Sequence, residues 1–226
     1  MKKLPWYLIL IAFIFSSCKK TDSPVDANIR FVNLSPNSTT LDLNSNNALL
    51  VGNKAYGSSS SYLAISSSTP LATVLTTGST VPLLSGNLQL AASKYYSLFV
   101  YDSTTSLKVS LVEDDRTPPP SGKCNIRFLH FYKGAVSVDI KRNGTINLFT
   151  ARNMNDHSVV AAYSQYASID AGSLSLTVFL AGTSVSLFQI PSIDFVAGKN
   201  YTLVLRGFSS VNAGSQAIVL SSITDN

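Results

Sequence analysis

An internal duplication constrains the fold of this chain more than any other feature of its 226 residues. The segment Asn28–Val32 (NIRFV) recurs almost unchanged as Asn125–Leu129 (NIRFL). Three further blocks recur in the same order: Leu41–Leu43 as Val138–Ile140, Tyr62–Ile65 as Tyr166–Ile169, and Leu90–Leu98 as Phe195–Leu203. Four blocks in one order are not expected by chance. The sequence therefore indicates two copies of a unit of about a hundred residues, the usual size of one domain.

A proline-rich segment lies between the two copies. Pro118, Pro119 and Pro120 are consecutive, and such a run holds the backbone in an extended polyproline conformation. We therefore predict a linker at residues 117–122, a first domain at 27–116 and a second at 123–226.

The pattern within each copy favours strands. Val136, Val138 and Ile140 alternate with polar residues, and the Asn-Gly pair that follows is a strong hairpin signal. Glu113 is the only glutamate of the chain, whereas β-branched and aromatic residues are frequent. Several short strands in about a hundred residues predict an all-β fold, with two tandem immunoglobulin-like β-sandwich domains.

Two repeated features of the copies are predicted to be structural. Tyr201 follows Phe195 and Gly198 in the spacing of a tyrosine corner, and Tyr96 holds the matching place in the first copy. Each copy also repeats one Arg and one Asp at the same spacing: Arg30 with Asp42, and Arg127 with Asp139. If each pair lies on a symmetric hairpin, the two charges face each other across the strands. The alternative is a paired ligand site.

The N-terminal segment has the pattern of a signal peptide. Lys2 and Lys3 precede the apolar run Leu4–Phe15, which is too short to span a bilayer, and two serines then lead to Cys18. Phe15–Cys18 resembles the lipobox of bacterial lipoproteins, where the signal peptide is removed and the cysteine is lipidated. We therefore predict a signal peptide at 1–17, a lipidated tether at 18–26, and an outer-membrane lipoprotein of the cell envelope. Whether it faces the periplasm or the cell surface stays open.

The duplicated blocks also resemble a known family. The Asn-Ile-Arg-Phe motif at Asn28–Phe31, the Ser-Pro pair that follows at residues 35–36, the tyrosines late in each copy and the closing Leu111–Asp115 look like the domain-of-unknown-function family 4397. The resemblance implies bacterial envelope lipoproteins with domains that often occur in tandem. It implies no activity.

Residues for catalysis or metal binding are few. His130 stands in a strand where the first copy has Asn33, which favours a hydrogen-bonded structural role, and His157 is expected to be exposed. Cys124 is the only cysteine after Cys18, so no internal disulfide can form. We expect no catalytic residues, no metal and no cofactor.

The function expected from these features is that of a non-enzymatic binding or adhesion module. The net charge of +5 is small and includes the two lysines of the leader, so no nucleic-acid partner is expected. The expected partners are the membrane, through the lipid on Cys18, and a protein or glycan ligand. The alternative is a structural or accessory subunit that docks another envelope protein, and a hydrolase is the least favoured class.

Overall fold

The computed structural model describes residues 25–134, 136–208 and 217–225. The predicted signal peptide and the lipidation site at Cys18 lie outside these residues. Within them, no helix has the length and apolar character needed to cross a membrane.

The described residues form sixteen strands and two short 3-10 turns. The strands of the first sandwich are β1 (Ala27–Leu34), β2 (Thr40–Ser45), β3 (Ala48–Ala55), β4 (Leu63–Ile65), β5 (Leu71–Thr76), β6 (Pro82–Asn87), β7 (Tyr95–Tyr101) and β8 (Lys108–Glu113). Those of the second are β9 (Lys123–His130), β10 (Val138–Arg142), β11 (Ile146–Arg152), β12 (Ala167–Asp170), β13 (Gly172–Leu180), β14 (Ser186–Phe195), β15 (Asn200–Arg206) and β16 (Val219–Thr224). The 3-10 turns are Asp156–Ser158 and Ala161–Ser164.

Both sandwiches have the same topology. The first consists of the sheets β4-β1-β7-β8 and β3-β2-β5-β6, and the second of β12-β9-β15-β16 and β11-β10-β13-β14. In each, the first strand pairs in parallel with the seventh, and the other pairs are antiparallel. The prediction of an all-β chain with two β-sandwiches is confirmed. Each sandwich has eight strands in a four-plus-four arrangement, one strand more than the seven of a constant-type immunoglobulin domain.

The inner sheets, β4-β1-β7-β8 and β12-β9-β15-β16, are buried on both faces at their centre. In β1, Ile29 and Phe31 point into the core of the first sandwich, while Val32 and Leu34 on the opposite face pack against the second sandwich. Strand β7 repeats this arrangement, and its residues after Tyr95 are all buried. Parallel strands covered on both faces read as continuous apolar runs rather than as an alternating pattern.

The repeated aspartates support β-bulges in the outer sheets. Asp42 accepts a hydrogen bond from the backbone N–H of Asn53 at 2.7 Å, and Asp139 accepts one from Ala151 at 2.8 Å. Both donor residues have positive φ, at points where the register between the second and third strands shifts. The N–H of Gly182 also binds Asp139, and these backbone hydrogen bonds hold the pKa of its carboxyl below the usual value.

The tyrosine contacts have the expected geometry. The Oη of Tyr96 accepts a hydrogen bond from the backbone N–H of Ala91 at 3.0 Å, and Tyr201 accepts one from Val196 at 2.9 Å. Each contact fixes the loop that enters the seventh strand. Tyr96 and Tyr201 therefore have matching structural roles in the two sandwiches.

Candidate functional site at the junction of the sandwiches

The inner sheets of the two sandwiches pack face to face, and this contact is called the junction below. Its apolar part contains residues of both sandwiches: Val32, Leu34, Phe99, Tyr101, Val112, Leu129, Phe131 and Val204. The ring of Phe131 lies 5.1 Å from that of Phe99 and 4.9 Å from that of Tyr101. Because these residues occupy the strand faces turned away from each sandwich's own core, the two units share a third core.

Arg30 is the first of two buried arginines at the junction. Its Nη2 donates to Ser97 Oγ at 2.7 Å within its own sandwich. Across the junction, Arg30 Nη1 donates to the carbonyl oxygen of Thr224 at 2.9 Å, and Nη2 donates to the carboxylate of Asp225. The side chain of Arg30 is 3% exposed and that of Asp225 is fully buried. The guanidinium therefore joins β1 to the residue after β16.

Arg127 makes the equivalent contacts from the second sandwich to the first. Its Nε donates to Thr202 Oγ1 at 2.8 Å within the second sandwich. Its Nη1 donates to the carbonyl oxygen of Glu113 at 2.9 Å, and Nη2 donates to the carboxylate of Asp114. Arg127 and Asp114 are both fully buried. Each sandwich thus supplies one arginine to the other's aspartate, in an arrangement with approximate two-fold symmetry.

A tyrosine and a hydroxyl complete each half of this ion cluster, which consists of Arg30, Arg127, Asp114 and Asp225. Asp114 accepts from Tyr62 Oη at 2.8 Å and from Ser97 Oγ at 2.6 Å. Asp225 accepts in the same way from Tyr166 and Thr202, both at 2.7 Å. Each arginine lies over the tyrosine ring of its own sandwich, 4.9 Å from Tyr62 for Arg30 and 4.7 Å from Tyr166 for Arg127.

The ion cluster shifts the pKa of its two arginines and of the two tyrosines beside it. Burial disfavours the charged guanidinium of Arg30, but the interactions with Asp225, Tyr62 and Asp114 together outweigh it, so the pKa of Arg30 is raised. Asp114 raises the pKa of Arg127 in the same way. Burial, and then the neighbouring carboxylate, raise the pKa of Tyr62 and of Tyr166, so both phenols stay protonated and donate. Two cations and two anions therefore neutralise each other inside the junction.

The predicted pairing of Arg30 with Asp42, and of Arg127 with Asp139, is wrong. Strand β1 pairs with β4 and β7, whereas β2 belongs to the other sheet of the sandwich, so the two charges of a pair lie in different layers. The arginines point out of their sandwich towards the junction, and the aspartates bind the bulges of the outer sheets. The repeated arginines and the repeated aspartates therefore have separate structural roles.

The far end of the junction has a second group of charges, a buried aspartate with two half-exposed lysines. Asp102 accepts from Lys133 of the other sandwich at 2.6 Å, and Lys108 lies 3.3 Å from it. Burial raises the pKa of Asp102, but hydrogen bonds from Lys133 and the N–H of Ser103 outweigh this, so the pKa is lowered. The two lysine side chains are about half exposed, so these pairs contribute little to stability.

A large polar crevice of about 610 Å³ opens beside the ion cluster. Both sandwiches line it, with Lys94, Tyr95, Glu113, Arg116, Gln165 and Tyr166 among its walls. Lys94 donates to Glu113 at 2.8 Å. The rest of the crevice surface consists of the charged Asp115 and Arg116 together with hydroxyl, amide and aromatic groups. A concave site with several converging polar groups and an aromatic wall is the usual form of a ligand site.

A smaller crevice of about 230 Å³ lies on the other side of Arg116. Its walls include Ser59, Ser60, Ser61, Tyr62, Arg116 and Asp225. Ser60–Tyr62 occupies the same place in the first sandwich that Ser164–Tyr166 occupies in the second. The small crevice is therefore the symmetry counterpart of part of the large crevice, with different side chains.

The two histidines are both buried, so the predicted exposure of His157 is wrong. The 3-10 turn Asp156–Ser158 directs its ring onto the first sandwich, where Nε2 lies 2.8 Å from Ser110 Oγ. Its ring also packs against Phe131. His130 lies in β9 near Phe128 and is fully buried. Burial lowers the pKa of both histidines to about 4, so both are neutral at pH 7.

Cys124 is buried at the start of β9, and its burial raises the pKa of the thiol, which disfavours the reactive thiolate. Among residues 25–134, 136–208 and 217–225, no group of three or more metal-binding side chains comes together.

Sequence reasoning identified Arg30 and Arg127 but missed their partners. Asp114 belongs to the acidic run next to the linker, which reads as a solvated segment. Asp225 has no distinguishing neighbours in sequence. One signal could have found them, because Asp114 and Asp225 each come directly after the last strand of their copy, in the matching segments Val112-Glu113-Asp114 and Ile223-Thr224-Asp225.

Comparisons with known proteins identify a family and a distant similarity to solved structures. Residues 27–141 match the model of a domain of unknown function, DUF4397, which covers β1 to β8, the linker, β9 and most of β10. No curated protein matches the chain. Among solved structures, the chain is similar to a streptococcal virulence factor described as binding alpha-glucan. The identity is 9%, the alignment covers 85% of this chain and 97% of the other, and the TM-score of 0.26 supports no conclusion about function.

Proposed function

The chain belongs to the DUF4397 family, and since that membership brings no activity with it, we propose that it is a non-enzymatic glycan-binding module of the cell envelope. In this proposal a lipid on Cys18 anchors it to the outer membrane. The second sandwich is proposed to be a second copy of the family domain, a proposal that its identical strand order supports.

The large crevice is the observation that carries this proposal. Its walls come from both sandwiches, and the buried ion cluster directly beneath it fixes their relative position. A site of fixed shape loses little conformational entropy when a ligand binds. Rigid attachment of two sandwiches is therefore expected of a module that presents a preformed site.

The chemistry of the walls favours a hydroxyl-rich ligand. Ser93, Thr117, Ser164 and Gln165 supply small polar donors and acceptors, and Tyr95 supplies a partly exposed ring. Aromatic rings with a polar edge suit ligands that have both an apolar face and hydroxyl groups. A sugar ring has both, which makes a glycan the ligand class that the crevice fits best.

The crevice lies at the end of the first sandwich where the proposed tether begins. The N–H of Ser93, which lines the crevice, donates to the carbonyl oxygen of Asp26 at 3.0 Å. The residues between Cys18 and Asp26 can extend about 30 Å at most. An anchor at Cys18 would thus keep the crevice close to the membrane surface.

A glycan array followed by calorimetric titration tests the binding proposal. Lys94→Ala and Gln165→Ala each remove a side chain from the crevice without touching the buried core, and we expect each to weaken binding three- to tenfold. Lys199→Ala is the matched control, because Lys199 holds the repeat position of Lys94 on the second sandwich and is exposed. If all three variants bind the glycan with the affinity of the parent chain, the crevice is not the site.

Two measurements test the anchor. Mass spectrometry of the purified protein should find acyl chains on Cys18, and Cys18→Ser should release the protein from the membrane fraction. Proteinase K digestion of intact cells then decides the face of the membrane. Loss of the protein with a periplasmic control intact indicates the surface, and full protection indicates the periplasmic side.

One exposed segment favours the second candidate function, that of an accessory subunit that docks another envelope protein. Val159 is 86% exposed and Val160 is 40% exposed, and both lie between the two 3-10 turns of the second sandwich. The first sandwich has a shorter connection at this place. A photo-reactive amino acid in place of Val159 should cross-link one specific envelope protein in cells if this candidate is right.

A further inference from the structure

Arg116 forms the wall between the large and the small crevice, immediately before the proline-rich linker. Its guanidinium lies 4.3 Å from the centre of the Tyr95 ring and 5.6 Å from that of Tyr62. The two rings meet edge to face at 5.2 Å. Arginine stacks well on aromatic rings because its guanidinium is planar and weakly hydrated. The stack therefore holds the charged group in a defined position.

The donors of Arg116 have no acceptor in the part of the chain that the structure describes. Arg30, Arg127 and Arg152 each donate to a carboxylate. Arg116 Nε, by contrast, is buried without a hydrogen-bond partner, and no ion pair forms at its other nitrogens among the described residues. A guanidinium offers five N–H groups in a fork that matches a carboxylate. The Nε atoms of Arg142 and Arg206 are also buried without a partner. Unlike them, Arg116 lines both crevices, so a bound anion can reach its unused donors.

The small crevice provides a setting for one negative charge. Arg30 and Asp225 also line it, but these two charges neutralise each other in a buried ion pair. Arg116 is therefore the one uncompensated charge among its described walls. The exposed hydroxyl groups of Ser59 and Ser61 lie along the same walls. A volume of about 230 Å³ equals roughly seven water molecules, which suits one sugar residue.

We propose that Arg116 and the hydroxyl groups of Ser59 and Ser61 form a subsite for the carboxylate of an acidic sugar residue, a uronic acid. This rests on the proposed glycan-binding function and names the class of glycan. One uncompensated charge matches a singly charged carboxylate, and the planar fork of arginine matches its two oxygens. Arg116 also lines the large crevice. The rest of an acidic oligosaccharide therefore extends past Arg116 into that crevice.

Calorimetric titration of the whole chain tests the subsite with two probes, trigalacturonic acid and its neutral methyl ester. We expect the parent chain to bind the acid at least tenfold more tightly than the ester. Arg116→Gln should abolish that preference, so that this variant binds the acid and the ester with affinities within threefold of each other. Arg206→Gln is the matched control, because Arg206 also stacks on a tyrosine, Tyr56, but packs its guanidinium against Gly57 and lines neither the large nor the small crevice.

The outcomes separate this inference from the function on which it rests. Equal binding of acid and ester by the parent chain overturns the uronate subsite but leaves glycan binding in place. An acid preference that Arg116→Gln retains overturns the assignment of the subsite to Arg116. If inorganic sulfate competes with the acid at equal concentration, the site binds small anions without a saccharide and the inference is wrong. If neither probe binds and no neutral glycan binds on the array, the glycan function itself fails.

Discussion

The two halves of the junction have the same buried contacts but different surroundings. Around Arg30 and around Arg127, the same kinds of groups recur: a hydroxyl, a backbone carbonyl, a carboxylate and a tyrosine ring. The connections between the third and fourth strands, however, differ in length and contacts. The first places Tyr56 under Arg206, and the longer second one places His157 on Ser110. The buried charged residues of the two copies cannot be replaced one at a time, because an unpaired charge inside a protein is costly. The exposed connections are free of this constraint.

The largest effect is expected from removing one charge of the ion cluster. Arg127→Met leaves Asp114 buried without its main partner and should lower the free energy of unfolding by about 3–5 kcal/mol. Arg30→Met should cost nearly as much, since its contacts are equivalent. The double variant Arg127→Met with Asp114→Leu removes both charges, so we expect it to be more stable than Arg127→Met alone. Urea denaturation measures these three variants and Asp114→Leu alone. A loss in the double variant equal to the sum of the Arg127→Met and Asp114→Leu losses would contradict the coupling.

Acid should destabilise the fold through two histidines that only the second half has. The unfolded chain protonates His130 and His157 near pH 6.5, whereas the folded rings accept a proton only near pH 4. The unfolded state thus binds more protons in this window, so stability is complete above pH 6.5 and falls towards pH 4, by roughly 2–3 kcal/mol per histidine. His130→Asn with His157→Gln should flatten this dependence in urea melts between pH 4 and 7. An unchanged slope would show that other groups cause it.

The shorter connection of the first half should be sensitive at Gly57. This glycine has a φ of +77°, and a Cβ there would lie 2.8 Å from Nη2 of Arg206. Gly57→Ala should therefore lower the free energy of unfolding by about 2 kcal/mol, from the strained backbone and the displaced guanidinium together. Gly78→Ala is the control, because its φ is +80° with nothing nearby, and should cost only about 1 kcal/mol. Equal losses of stability in Gly57→Ala and Gly78→Ala would mean that the contact with Arg206 does not contribute to the effect.

The smallest effect tests the bulges of the outer sheets. Ala151 adopts a φ of +51° in the second sandwich, where the first has Asn53 at +59°. Asparagine tolerates this left-handed conformation better than alanine does. Ala151→Asn should therefore raise the free energy of unfolding by up to about 1 kcal/mol in thermal or urea melts. The reverse change, Asn53→Ala, should lower it by a similar amount.

Much of the fold could be predicted from the sequence, because duplication and alternation are local patterns. The tyrosine contacts of Tyr96 and Tyr201 followed from a motif with fixed spacing. The packing of the sandwiches on each other was missed, although residues 95–101 and 200–206 are apolar on both faces. Such runs indicate strands covered on both sides, and a single sandwich covers only one of them.

The partners of Arg30 and Arg127 could not be predicted by spacing alone. The hairpin assumption placed Asp42 and Asp139 opposite them, but the first strand turns away from the second to pair in parallel with the seventh. Parallel pairing joins segments that are far apart in sequence, so no local pattern reports it. Asp114 and Asp225 each bind the arginine of the other sandwich. These contacts require both the parallel pairing and the packing at the junction.

Differential scanning calorimetry of the whole chain tests most directly whether the junction makes the two sandwiches one unit. Because each has its own core, two separate domains would unfold in two transitions, whereas a shared core and ion cluster should couple them. We predict one endotherm, with equal calorimetric and van 't Hoff enthalpies, that splits into two when Arg30 and Arg127 are both replaced by methionine. Two resolved transitions in the parent chain would contradict a rigid junction and, with it, a preformed crevice.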